Sequence, residues 1–555
     1  MRLAYRLPRR RPRSRTDRRA RATGPVPAWA AALKRAPAIG PSLLVLAVAL
    51  ALLGAGALVA STSSGTRPDA HLASADFPVD PGARDPGDIS ANNSPTLVQN
   101  PARKSNLAVS NRIDTPQFSC ALQVSTDGGA SWNRVRVPIP RGEEPKCYAP
   151  DLAFAADGTL YMSYVTLRGA GNVPDAVWMV RSTDGGQTLS TPTRVLGPLA
   201  FQVRLAVDPA RPRRLYLAWL QAAGVGLYRF TAPGNPIEVT RSDDGGLTWR
   251  PPARASDPGR GRVVAPVPAV GRGGALYVLY LDLGHDDLDY EGAHAGLGGP
   301  PYAGGFTLVL ARSQDAGASW QESVVDGDLV PTGRFIAFLP PFPSLAIDRR
   351  SGKLYAAFQE ASLSPSDVYL WSLSPGQRAW RGPTRVNDTP AHDGTSQYLP
   401  QVALAPNGRL DVEYYDRRQD PHNRFTGVSL QSSFDGGRSF TRHIFLTDRS
   451  FDSGVGFGSE RGMPDLGSRV GLVAQSGATL AAWTDTRAGT VASNKQDIGF
   501  VRVALTARAR LSGPARAGLR YGGIACLVIG LGVLLAHAAS GCLRRNVVAP
   551  ADVEP

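Results

Sequence analysis

The sequence predicts an all-β protein: a β-propeller of four-stranded blades flanked by two transmembrane helices. Three observations carry this. An eight-residue pattern recurs five times at blade-like spacing. A second phrase, two apolar strands joined by a turn, precedes each copy. Long uncharged apolar runs bracket the repeats near both ends of the 555-residue sequence.

The pattern is Ser-x-Asp-x-Gly-x-Ser/Thr-Trp. It reads STDGGASW (125–132), STDGGQTL (182–189), SDDGGLTW (242–249), SQDAGASW (313–320) and SFDGGRSF (433–440). The aspartates Asp127, Asp184, Asp244, Asp315 and Asp435 are spaced by 57, 60, 71 and 120 residues. The last gap is two periods. Near its midpoint SLSPGQRAW (372–380) keeps Gly376 and Trp380 but has no Asp. An alternating apolar run precedes each copy, as in VWMVRS and LVLARS, and predicts a strand with one face in a core. Asp and Ser then bond backbone N–H groups to shape a turn, Gly supplies positive φ, and the aromatic opens the next strand. These aspartates are therefore structural.

The second phrase reads DLAFAADGTLYMSY (151–164), RLAVDPARPRRLYLAW (204–219), PAVGRGGALYVLY (268–280), SLAIDRRSGKLYAAF (344–358), QVALAPNGRLDVEYY (401–415) and RVGLVAQSGATLAAW (469–483). TLVQNPARKSNLAVS (96–110) makes a seventh. Phrase and hairpin together give four strands per unit and seven units, with six as the alternative. The last unit lacks a fourth strand, which residues before Asn92 can supply to close the ring.

Ser42–Ala60 carries no charge, and Tyr521–Cys542 carries only His537. Each suffices to cross a bilayer. The organisation read from these features is a basic segment 1–41, a helix 42–60, a linker 61–91, the propeller 92–505, a basic linker 506–520, a helix 521–542 and a tail 543–555. Twelve Lys/Arg and the single acid Asp17 lie in residues 1–40, which places that end in the cytoplasm. The propeller is then extracytoplasmic and both termini cytoplasmic, at the cell membrane. A signal peptide cleaved near Ser61 is the other reading of the first run. The net charge of +15 resides in the flanks and leaves 62–505 neutral, so a nucleic-acid partner has no support. Cys120 and Cys147 read either as a disulfide or as two buried thiols.

Five such boxes at blade spacing resemble the sialidase (neuraminidase) superfamily of BNR-repeat, or Asp-box, propellers, over roughly residues 92–505. The resemblance implies a propeller, usually six-bladed, with its boxes on the face away from the active site. For a sialidase proper it implies three arginines on a substrate carboxylate, a Tyr/Glu nucleophile pair and an Asp acid/base. The sequence departs from this: the Arg-Ile-Pro motif is absent, the nearest string is NRID (111–114), and no arginine triad aligns. The fold alone does not decide function.

On that layout the opposite face carries the loops after the second strand of each unit. Unit six gives Asp416 and Arg418, unit seven Asp485 and Arg487, unit five Gln359 and Glu360, unit one Asn111 and Arg112. Asp416, Asp485, Glu413 and Tyr398 are the catalytic candidates. Arg112, Arg418, Arg487 and Glu360 are the ligand-binding candidates, since bidentate Arg grips carboxylates and a carboxylate can serve as acid or base. Against this, each Asp-x-Arg also reads as a loop-pinning salt bridge, Glu413 as an ordinary strand residue, and Tyr398 as rim packing. The insert of unit four holds Asp282, Asp286, Asp287, Asp289 and Glu291, either a calcium-binding cluster or a solvated acidic loop, without the calcium-loop consensus. No zinc spacing or phosphate loop occurs, and no cofactor is expected. Two functions compete: a propeller that acts on or binds glycans or glycoproteins, or a scaffold for a protein partner. Three guanidiniums among Arg112, Arg204, Arg334, Arg418 and Arg487 converging within one central pocket would favour an acidic sugar; scattered ones would favour the scaffold.

Overall fold

The computed structural model describes residues 40–62, 69–85, 87–224, 234–286, 302–334, 336, 342–459, 465–506 and 513–545. The metal candidates Asp287, Asp289 and Glu291 lie outside them. The chain divides into two compact units, Pro68–Thr506 and the two flanks together.

The larger unit is a seven-bladed β-propeller. Its seven sheets each carry a four-strand antiparallel path in chain order, spanning 92–135, 147–196, 200–254, 263–329, 344–385, 397–452 and 471–506. Blade 7 takes its outer strand from the far end of the sequence. Asp69–Leu72 pairs antiparallel with Asp497–Thr506, and Phe77–Pro78 pairs with the same strand. Residues 69–78 therefore belong to the propeller and not to a linker, and they close the ring through a strand that is not contiguous with its blade.

Each Ser-x-Asp hairpin joins the third and fourth strands of its blade. In blade 1, Ser125 Oγ donates to Asp127 Oδ1 (2.7 Å) and accepts from Gly129 N (2.9 Å); Ser131 N and Oγ donate to the two Asp127 oxygens (3.0 and 2.5 Å). Asp184, Asp244, Asp315 and Asp435 repeat the geometry. The glycine at the left-handed turn position has a second duty. A Cβ at Gly129 would lie 2.6 Å from Phe500 of blade 7, at Gly186 2.9 Å from Val124 of blade 1, and at Gly246 2.9 Å from Met179 of blade 2. Each turn thus presses on the third strand of the preceding blade, and the motif stitches blades together.

The box tryptophans Trp132, Trp249, Trp320 and Trp380 are half-buried, not buried. Trp132 packs edge-on against Phe500 at 5.2 Å. The fully buried tryptophans are Trp219, Trp371 and Trp483, on strands two or three of blades 3, 5 and 7. Cys120 in the third strand of blade 1 and Cys147 in the first strand of blade 2 form a disulfide with Cα atoms 5.6 Å apart.

The smaller unit is a helix pair, Pro41–Thr62 and Gly513–Arg545, both long and apolar enough to cross a membrane. The second begins inside the basic stretch 506–520. Small residues at seven-residue spacing let the two backbones touch. A Cβ on Gly54 would meet Gly523 O at 2.6 Å, and one on Gly530 would meet Ala47 O at 2.6 Å.

Candidate functional site

The innermost strands carry a repeated backbone feature that the sequence did not disclose. Ser94, Ala149, Gln202, Ala265 and Leu399 have φ between 50° and 58°, and Gly467 has φ 91°. In blades 1, 2, 3, 4 and 6 the strand register shifts at this point. Each is a bulge with a left-handed residue, a conformation that non-glycine residues adopt rarely and that gathers at functional sites. The freed donors find neighbours: Ala265 N donates to Gln202 Oε1 (2.7 Å) and Leu399 N to Gln359 Oε1 (2.6 Å).

Two residues beyond these positions stand Thr96, Asp151, Arg204, Val267, Gln401 and Arg469. Four of them form a hydrogen-bonded chain across blades 7, 1, 2 and 3. Arg469 Nε donates to Thr96 Oγ1 (2.8 Å), Thr96 Oγ1 to Asp151 Oδ1 (2.9 Å), and Arg204 Nε to Asp151 Oδ2 (2.9 Å). Val267 breaks the chain, so the axis has a polar half and an apolar one. Above the polar half lies a narrow axial cavity lined by Ser94, Arg112, Tyr148, Gln202, Phe342 and Arg469. About 10 Å³ of it admits the centre of a water molecule, roughly one water.

Two guanidiniums, Arg112 and Arg469, line this cavity, and a third, Arg204, stands behind its Phe342 wall. Arg112 is paired with Asp114 (2.6 Å) and Asp465 and lies 5.5 Å over the Tyr148 ring. Arg204 is paired with Asp151 and lies 5.2 Å over Phe342. Arg469 bonds only neutral acceptors, Thr96 Oγ1 and Pro150 O (2.5 Å), and among the described residues forms no ion pair. Burial, then the like charge of Arg204, push its pKa down to about 9, so it stays charged at neutral pH. Burial alone would raise Asp151, but Arg204 and Arg469 prevail and hold it low. Burial pushes Asp465 up to about 6 against the pull of Arg112, and raises Tyr148.

Of the candidate residues, only Arg112 is at the axis. Asp416 is fully buried and accepts from Arg418 Nε (2.5 Å), Ser429 Oγ (2.7 Å) and Gln397 Nε2 (3.2 Å). Arg418 also holds Asp388 (2.6 Å). Asp485 holds Arg487 (2.5 Å), which further grips Asp76 and Asp448. Glu360 accepts from Ser362 N (3.0 Å) and caps its own loop. All five sit in loop-pinning networks. Glu413 is a strand residue, fully buried with both carboxylate oxygens unpartnered, and burial pushes its pKa well up. Tyr398 is likewise fully buried, stacked on Tyr415 at 5.3 Å beneath Arg417. Neither Glu413 nor Tyr398 reaches a substrate in this geometry, because interblade packing covers both. Asp286 is clamped bidentately by Arg334 (2.6 and 2.7 Å), which uses both residues in a loop contact.

Arg469 and Asp151 escaped the sequence reading, though a signal existed. They are the leading letters of the repeated phrases RVGLVA and DLAF, as Arg204 is of RLAVD. On the box face, grooves recur at blade junctions: about 280 Å³ between blades 2 and 3, 300 Å³ between blades 3 and 4, and 640 Å³ between blades 4 and 5. The largest lies where the blade 5 box has lost its aspartate.

No protein-family profile and no curated protein matches the sequence. Among solved structures, the chain is similar to a protein of unknown function from Dyadobacter fermentans, at 14% identity over 79% of this chain and 100% of that one, TM-score 0.44. It is similar to a Hadza microbial sialidase at 14% identity over 73% and 74%, TM-score 0.40. A third is an α-L-arabinanase of Penicillium chrysogenum, at 16% identity over 65% and 95%, TM-score 0.39. The fold stands on the strand topology itself.

Proposed function

We propose that this chain is a membrane-anchored, extracytoplasmic propeller that acts on or binds glycans, and that its ligand is a carboxylated sugar held at the polar half of the axis by Arg469, Arg112 and Arg204. The observation that carries the reading is Arg469. Arg469 is a buried guanidinium with no direct ion pair among the described residues, sharing the charge of Asp151 with Arg204, and it offers donors to an incoming carboxylate. Asp114 and Asp465 neutralise Arg112, and Thr96, Ser94 and Gln202 add donors and acceptors suited to hydroxyls. The two apolar helices support the anchor.

The test is binding of sialoside and glucuronide probes to the full-length chain in detergent, with a fluorogenic glycoside panel to decide whether a bond is broken. Arg469→Ala should weaken binding about a hundredfold, as loss of a charge-assisted bidentate contact does, while Arg418→Ala changes it little. Failure of every carboxylated probe overturns the reading. A second reading, a scaffold for a protein partner, draws on the narrowness of the axial cavity. It gains if no glycan binds and the wide groove between blades 4 and 5 is needed to capture a partner.

A further inference from the structure

We propose that Asp80, Asp88 and Asp497 bind one divalent cation, calcium or magnesium, that clasps the N-terminal strap of residues 69–88 onto blade 7 and locks the ring. One carboxylate oxygen of each lies within 4.8 Å of the others. Three oxygen donors of this kind suit a hard cation, with water completing the shell.

The arrangement contains more than clustered acids. Asp80 and Asp497 are 7% and 5% exposed. Asp80 spends Oδ1 on Ile498 N (2.8 Å), while its Oδ2 and Asp497 Oδ1 are buried without any hydrogen-bond donor. Buried carboxylate oxygens of folded proteins almost always have a partner, so two orphans turned to one point mark a missing positive group. The backbone also makes room: a Cβ on residue 82 would lie 2.2 Å from Asp88 Oδ2, so Gly82 lets that carboxylate in.

The charge balance agrees. Asp485 faces Asp497 from the neighbouring strand, with its own charge paired to Arg487. Lys495 is the adjacent cation, but its ammonium is committed to three backbone carbonyls of the strap, Gly82 O (3.2 Å), Ala83 O (3.1 Å) and Asp85 O (2.9 Å). Lys495 thus fastens the strap and supplies one positive charge against the three carboxylates of the cluster. The strap also holds to blade 7 through strands of four and two residues, the Asp76–Arg487 ion pair and the Asp80–Ile498 bond. A metal joining Asp80 and Asp88 of the strap to Asp497 of the blade would add a further clasp at the seam that closes the ring.

The experiment uses the full-length chain in detergent, stripped with a chelator and titrated with calcium or magnesium alone at about pH 8.5. Calorimetry should find one ion per chain, and the unfolding midpoint should rise on binding. Asp88→Asn, at a half-exposed position, should fold with the metal-free midpoint of the wild type and bind at least about tenfold more weakly. Asp497→Asn should also lose the metal response, and its metal-free midpoint should hold or rise because a buried repulsion is removed. Three results overturn the proposal: no saturable binding below about 1 mM, the weak end of protein calcium sites; unchanged affinity in Asp88→Asn; or a wild type indifferent to metal whose stability merely falls as pH rises, as a proton shared by Asp80 and Asp497 would give. The glycan reading is scored separately, by binding of carboxylated probes to Arg469→Ala, a residue outside this cluster.

Discussion

Arg469 is buried against neutral hydrogen-bond acceptors and helps Arg204 hold Asp151 charged. Removing one member of a buried charged network costs about 3–5 kcal/mol. Arg469→Met should therefore lower the denaturant midpoint as well as abolish binding of a carboxylated probe. A raised midpoint would mean that Arg204 alone satisfies Asp151. The tryptophans give a second comparison. Trp483→Ala, at a fully buried site, should cost about 3–5 kcal/mol. Trp132→Ala should cost about half as much, because its side chain is only half-buried. The box aspartates titrate in the opposite sense to buried carboxyls. Hydrogen bonds, Ser131 first, hold Asp127 down to about 2. Its folded pKa lies below the unfolded value of 3.8, so its stabilisation is present above that pH and is lost as pH falls through about 2. Thermal midpoints measured from pH 5 downward should drop across that window, and Asp127→Asn should flatten the drop.

At the scale of elements, the strand pairs and hairpins were legible because their signals are local. Alternation within VWMVRS needs only the two-residue period of a pleated strand, and the Ser-x-Asp turn closes bonds within five residues. The bulges that line the axis were not legible. Ser94, Ala149 and Leu399 precede prolines, and they take left-handed backbone because the inner strands crowd one another, a cause that lies in the neighbouring blade. For the same reason Arg469 looked like one more strand-opening polar residue. Its partners Thr96 and Pro150 are more than 300 residues away in sequence. Loop charges such as Asp416 and Arg418 were conspicuous in sequence because they are adjacent, and adjacency is what lets them satisfy each other. The disulfide Cys120–Cys147 joins blades 1 and 2 across 27 residues. Removing it with Cys120→Ser should cost about 3 kcal/mol, read as a shift in denaturant midpoint without loss of the folded baseline.

Across the whole molecule, the proposed anchoring sets the remaining question, which side of a membrane the propeller would occupy. On that proposal two crossing helices put both termini on the same side. The first helix follows twelve basic residues; the second is preceded by Arg508, Arg510, Arg516 and Arg520 and followed by Arg544 and Arg545. With the termini inside, twelve and two basic residues fall in the cytoplasm against four outside; the reverse orientation inverts this, so the first is favoured. Retention of the first helix also has a packing argument. Gly523 and Gly530 of the second helix meet backbone at Gly54 and Ala47, contacts that a cleaved leader would leave bare. In intact cells, an external protease should therefore digest the propeller and spare epitope tags at both termini. A mature N-terminus near Ser61 would show cleavage instead. Gly54→Leu should prevent the close approach of the helices and abolish a crosslink between cysteines placed at 47 and 530, while leaving the protease pattern unchanged, because the bilayer and not the helix contact fixes the orientation.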